Sequence, residues 1–230
     1  MTIKGLLFDL DGTLLDRDAS LLSFVEDQYE RLAELHHVEK QQYVEAFLHL
    51  DQRGYVWKDK VYQQLIESFH LPLSWEYLLE DYVEGFQHHC IGFPNLHELL
   101  QLLKNNDLKL GMITNGFDRF QMNNIEALGI KEYFDAILIS EREGLRKPDP
   151  AIFERALKKL NVMAEETIFV GDHPIHDVAA SRAVGMQGWW KEDRVAKNKV
   201  ACDYVIQDLL DVYKYLETGA TKAIKPSDTR

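Results

Sequence analysis

The chain has 230 residues, 46% hydrophobic and 28% charged, an ordinary globular composition with room for a core domain and a smaller second one. Its formal charge of −12 excludes a general affinity for polyanions, so no nucleic acid polymer and no anionic membrane is expected as a partner, and a small anionic substrate needs a local cationic site. Cys90 and Cys202 fit reduced thiols rather than a disulfide framework, and no apolar run approaches the roughly 20 residues of a membrane span; a soluble, cytoplasmic protein is expected, as monomer or weak homodimer.

Residues 3–10 form a short apolar run without strict alternation, the pattern of a strand covered on both faces. Three comparable runs follow, LKLGMIT ending at Thr114, FDAILIS ending at Ser140 and ETIFVGD ending at Asp172. Helical patterns over residues 95–104, 117–127, 151–160 and 175–184 alternate with them. This alternation predicts an α/β chain with a parallel sheet and helices on both faces. In open sheets of this kind ligands sit beyond the carboxyl ends of the strands, where Asp9, Thr114 and Asp172 fall.

Residues 17–92 break the alternation. They carry aromatic-rich amphipathic faces, among them Tyr29 with Leu32, Tyr43 with Phe47, Leu65 with Phe69, and Leu78 with Tyr82 and Phe86, and no strand pattern. The expected organisation is a core of residues 1–16 and 93–217, a helical insertion over 17–92 and a polar tail over 218–230 that lacks an apolar face. Phe93-Pro94-Asn95 marks the return to the core, with Asn95 placed to cap the next helix. Tyr55, Trp57, Trp75 and Tyr82 are assigned to the interior of the insertion. The segment DQRGYVWKDK, with a glycine break and cations at Arg53 and Lys58, is a secondary candidate for substrate contact. The His88-His89-Cys90 run is read as structural rather than zinc-binding, because adjacent residues of one helix point in different directions.

Alone, Asp-Leu-Asp-Gly-Thr after a strand is an ordinary polar turn. The ordered set FDLDGTLLD, ITNG, RKPDP and VGDHPIHD is far more specific. With those four motifs in that order, the chain resembles the haloacid dehalogenase-like hydrolase superfamily over residues 3 to about 206, through Asp9 and Asp11, Thr114, Lys147, and Asp172 and Asp177. The resemblance implies a Rossmann-like core and a helical cap in the insertion. It implies a magnesium-dependent phosphatase acting on a small phosphorylated metabolite.

On that resemblance Asp9 is the nucleophile, forming an aspartyl-phosphate, and Asp11 is the general acid and base. Thr114, Asn115, Gly116 and Lys147 would bind the phosphoryl group, with Thr114 and Lys147 also counted as catalytic. The metal set is Asp9, Asp11 through its backbone carbonyl, Asp172 and Asp177, which suits Mg²⁺ as a hard ion with oxygen ligands. The carboxylates themselves ask for such an ion, since a cluster of like charges in one cleft is tolerable only when cations compensate it. His173 departs from the Ser or Thr often found after the first Asp of the fourth motif. A phosphosugar mutase of the same superfamily and a noncatalytic binding protein are the alternatives; Asp11 weighs against a dehalogenase, which has no use for a leaving-group acid.

Overall fold

The computed structural model describes residues 2–192 and 201–218. Beyond Thr218 the expected polar tail lies outside the described residues. The chain divides into two compact units, Met1–Asp16 with Gly92–Arg230, and Arg17–Ile91. Among the described residues no helix is long and apolar enough to cross a membrane.

Among its described residues the first unit carries six strands, β1 (Gly5–Phe8), β2 (Lys109–Thr114), β3 (Ala136–Ile139), β4 (Thr167–Gly171), β5 (Gln187–Lys191) and β6 (Tyr204–Ile206). All pair in parallel, in the order β3-β2-β1-β4-β5-β6. This is the parallel α/β sheet that the alternation predicts and the Rossmann-like fold that the resemblance implies. The second unit holds helices α1 (Arg17–Arg31), α2 (Lys40–Asp51), α3 (Lys58–Phe69) and α4 (Trp75–Gly85). Helices α5 (Leu96–Asn105), α6 (Asp118–Ala127), α7 (Ser140–Glu143), α8 (Pro150–Leu160), α9 (Ala180–Ala183) and α10 (Leu210–Thr218) return to the first.

Every residue of β1 is buried, which is why its sequence runs apolar without alternation. Leu7, Ile113, Leu138 and Phe169 pack with Ile152, Phe153, Ala156 and Leu160 of α8. Period-two alternation sends Leu6, Phe8, Met112 and Val170 to the opposite face, where they are equally buried. Leu99, Leu100 and Leu103 of α5 supply apolar cover from a helix that contacts β2 and α10. The segments leaving and re-entering this unit are tied together, since Phe93 N–H donates to the Leu14 carbonyl at 2.9 Å.

Several local expectations are corrected. Asn95 sits at φ 64° and makes no side-chain cap; its amide donates instead to the Asp208 carboxylate at 2.9 and 3.0 Å. The helix expected over 175–184 is a wide π turn, Pro174–Ala179, followed by the short α9. Strands β5 and β6 went unread, because GWW and YVI are too short to show a period. In the helical unit Tyr82 is buried against Phe24, but Tyr55 is 69% exposed and does not join the interior. Lys58 is buried and ion-paired with Asp51, which also takes two hydrogen bonds from Arg17 Nη2, so Lys58 is a structural cation. His89 Nδ1 lies 3.0 Å from Ser23 Oγ, in keeping with its structural reading.

Phe153 is fully buried and meets Phe169 edge-to-face with ring centroids 5.2 Å apart. Phe153→Ala is expected to cost about 3–5 kcal/mol in urea unfolding. A loss below about 1 kcal/mol would mean that α8 does not anchor the sheet in this way.

Candidate active site at the carboxyl ends of three strands

In the sheet β1 lies between β2 and β4, with Phe8 opposite Met112 on one side and Val170 on the other. Parallel register therefore delivers Asp9, Thr114 and Asp172 to the same edge of three neighbouring strands. Asp9 is fixed there by its own N–H, which donates to the Val170 carbonyl at 2.9 Å. After Asp11 the chain reverses sharply: the N–H groups of Thr13, Leu14 and Leu15 all return to the Leu10 carbonyl. Gly12 makes the reversal possible, with φ +76°, and a Cβ there would lie 2.3 Å from Asp172 Oδ2.

Lys147 is 3% exposed, and its ammonium bridges Asp9 Oδ1 at 2.7 Å and Asp177 Oδ1 at 2.6 Å. It reaches that position because Asn115 clamps its backbone from both sides. Asn115 Nδ2 donates to the Lys147 carbonyl and Lys147 N–H donates to Asn115 Oδ1, each at 2.9 Å. The Gly116 N–H is likewise engaged within the protein, donating to Ser140 Oγ at 2.9 Å. Asn115 and Gly116 thus hold the loops that carry the site, a structural use that the motif alone does not disclose.

Asp177 is fully buried and is brought back by the π turn, so that its Oδ2 accepts the His173 N–H at 2.9 Å. Gly171 leaves room for it, since a Cβ there would come within 2.4 Å of Asp177 Cβ. His173 supplies the cap: its Nδ1 accepts the N–H groups of Ile175 and His176 at 3.1 and 3.0 Å, which places the ring hydrogen of the neutral imidazole on Nε2. The His173 and His176 rings stack 3.9 Å apart. Burial holds both below the ordinary imidazole value, and their proximity depresses His173 further. Trp190 Nε1 donates to the Asp172 carbonyl at 2.9 Å and steadies the remaining acid.

One carboxylate oxygen from each of Asp9, Asp172 and Asp177 lies within 4.8 Å of the others. Burial raises the Asp9 carboxyl well above its ordinary value; Lys147 opposes the shift, and Asp177 and Asp172 add to it. Burial pulls the Lys147 ammonium down, but Asp177 and Asp9 outweigh it and hold the group protonated. Three acids facing one ammonium carry surplus negative charge, and all their donors are hard oxygens. This donor set fits a divalent ion such as Mg²⁺.

Asp11 is half-buried on the other side of the turn and belongs to a different contact set. Its Oδ2 accepts from Gln121 Nε2 at 2.8 Å, and the same nitrogen donates to Thr114 Oγ1 at 2.6 Å. Gln121 was absent from the sequence-derived site. Its signal is a buried Gln121 and Asn124 on the inward face of α6, among Phe120 and Ile125, where an apolar pattern would hold neither.

A family model described as haloacid dehalogenase-like hydrolase matches residues 6–190, and the chain belongs to that family. Glyceraldehyde 3-phosphate phosphatase of Pyrococcus furiosus is 30% identical, over 98% of both chains. Among solved structures, a HAD phosphatase from Thermococcus onnurineus is 26% identical with a TM-score of 0.67, covering 96% of this chain and 100% of that one. YfnB from Bacillus subtilis, solved bound to magnesium, is 22% identical with a TM-score of 0.76, covering 94% and 100%.

A raised Asp9 value has a definite sign for stability. The group favours the native state below its unfolded value near 4 and disfavours it as pH rises through the higher native value. In a metal chelator, Asp9→Asn is therefore expected to melt at least about 2 °C above the parent at neutral pH, with the gap closing toward pH 4. Added Mg²⁺ should raise the melting temperature of the parent more than that of the variant. A variant less stable than the parent at every pH would contradict the electrostatics described.

Proposed function

We propose that the protein is a phosphatase that hydrolyses a small phosphomonoester through an aspartyl-phosphate on Asp9. The observation that carries this reading is the buried Lys147 ammonium shared between Asp9 and Asp177, with Asp172 in the same trio, at the carboxyl ends of β1 and β4. Lys147 opposes the burial that raises the Asp9 carboxyl and is positioned to balance the incoming phosphoryl charge.

Asp9 attacks phosphorus while Asp11 gives its proton to the departing ester oxygen; Asp11 then takes a proton from the water that releases phosphate from Asp9. General acid and base work of this kind contributes roughly 10² to 10⁴-fold. Thr114 donates its hydroxyl to an equatorial phosphoryl oxygen. Asp9, the Asp11 carbonyl and Asp172 would hold Mg²⁺. Both Asp177 oxygens are engaged, by Lys147 and by the His173 N–H, so Asp177 contributes mainly by fixing Lys147 and through water. When bound, the ion neutralises charge on the phosphoryl oxygens and on the acid trio.

The Pyrococcus relative supports a phosphorylated metabolite of triose size as substrate. The net charge of −12 argues against phosphorylated polymers. The helical unit is assigned the family's cap role, and a cytoplasmic location is part of the same proposal.

Phosphate release from a panel of triose, pentose, nucleotide and amino-acid phosphates should require Mg²⁺ and fall to background in Asp9→Asn, which keeps the shape and removes the nucleophile. Release that persists in the variant would overturn the reading. Turnover of a sugar bisphosphate without net phosphate release would point instead to the mutase.

A further inference from the structure

We propose that Gln121 is a positioning residue that sets the proton directions of the site. The proposal rests on the phosphatase reading and adds to it a residue outside the four motifs. Gln121 is 2% exposed, and its Nε2 lies 2.8 Å from Asp11 Oδ2, 2.6 Å from Thr114 Oγ1 and 3.4 Å from the Asn115 carbonyl oxygen. A carboxylate and a backbone carbonyl only accept, so chemistry alone decides that the amide nitrogen, not the oxygen, faces them. The other end is held too, since Asn124 Nδ2 donates to Gln121 Oε1 at 3.4 Å. Packing leaves the side chain little choice: a Cβ on Gly116 would lie 2.7 Å from Gln121 Cγ.

The consequences follow from counting hydrogens. Gln121 Nε2 has two, and Asp11 Oδ2 and Thr114 Oγ1 take one each at the short distances. Asp11 Oδ2 is therefore fixed as an acceptor. A proton on Asp11 is thereby favoured on Oδ1, the oxygen that Gln121 does not engage, from which it can be given to the ester. The Thr114 hydroxyl also accepts from Gln121, so its own hydrogen points elsewhere and is available to a phosphoryl oxygen. One buried amide thereby orients the acid that serves the leaving group and the hydroxyl that serves the phosphoryl group.

In the step concerned, an Asp9 oxygen forms the bond to phosphorus as the ester P–O bond breaks. The electron pair goes to the ester oxygen, and the Asp11 Oδ1 proton joins it there. Without the amide, the Thr114 hydroxyl is free to turn its hydrogen toward the nearby Asp11 carboxylate, which misdirects both groups at once.

The test separates positioning from mere packing by leaving group. An alkyl ester such as glycerol 3-phosphate departs as a poor leaving group and needs the proton; p-nitrophenyl phosphate departs as a stable anion and needs it far less. Gln121→Met keeps the length and removes the donor, and Gln121→Glu keeps the shape and turns the donor into an acceptor, so either can be read if the other does not fold. The expected result is a kcat loss at least about tenfold larger on the alkyl ester than on the aryl ester. In an Asp11→Asn background that extra loss should vanish, as for two residues acting through one step. Equal losses on both esters, or an undiminished extra loss in the Asp11→Asn background, would overturn the positioning role while leaving the phosphatase reading intact. A parent chain that releases phosphate from neither ester nor any member of the panel would overturn both.

Discussion

The Lys147 ammonium is the interaction on which the rest of the site depends. Two carboxylates approach it at 2.6 and 2.7 Å in a largely buried place, and either acid without it would be a buried charge with a steep desolvation cost. Its position is over-determined from three directions. Asn115, at the end of β2, clamps its backbone. Asp177 is returned to it by a π turn that starts at Pro174, and Asp9 is pinned to it by the β1–β4 ladder. Residues from four separate segments meet only because β1 lies between β2 and β4.

Asp9 and Asp11 are one residue apart, yet the backbone gives them different neighbours. Asp9 continues the strand direction into the acid trio beside Lys147, whereas Asp11 enters the Gly12 turn and faces Gln121 and Thr114. The ammonium beside Asp9 opposes the burial that raises its carboxyl, whereas the Gln121 amide fixes the place of Asp11. That division is what a double-displacement mechanism asks of two acids, and it suits the relatives whose names are phosphatases.

Much of this was legible in the sequence. Continuous apolar runs marked β1 to β4, because strands covered on both faces leave a hydropathy signature. Asp9, Thr114 and Asp172 fell at strand ends, where the fold gathers them. What stayed hidden has a common cause, since each case depends on a folded partner that the hydropathy pattern does not name. Asn95 looked like a cap but meets Asp208; Lys58 looked available to a substrate but is buried against Asp51; the Asn115 side chain holds the backbone of Lys147, a use its motif does not disclose. Gln121 carried a faint signal as an amide on the apolar face of α6, and only the fold shows what it bonds.

The account stands or falls on whether phosphate passes through Asp9. The direct measurement is to quench the protein with acid during turnover of a good substrate with Mg²⁺, digest it, and locate any covalent phosphoryl group by mass spectrometry. The account predicts one phosphoryl group on the peptide spanning residues 6–16, assigned to Asp9 and lost when the quenched protein is treated with hydroxylamine. Phosphate carried by His173 or His176, or sustained turnover with no covalent phosphate at any residue, would contradict it.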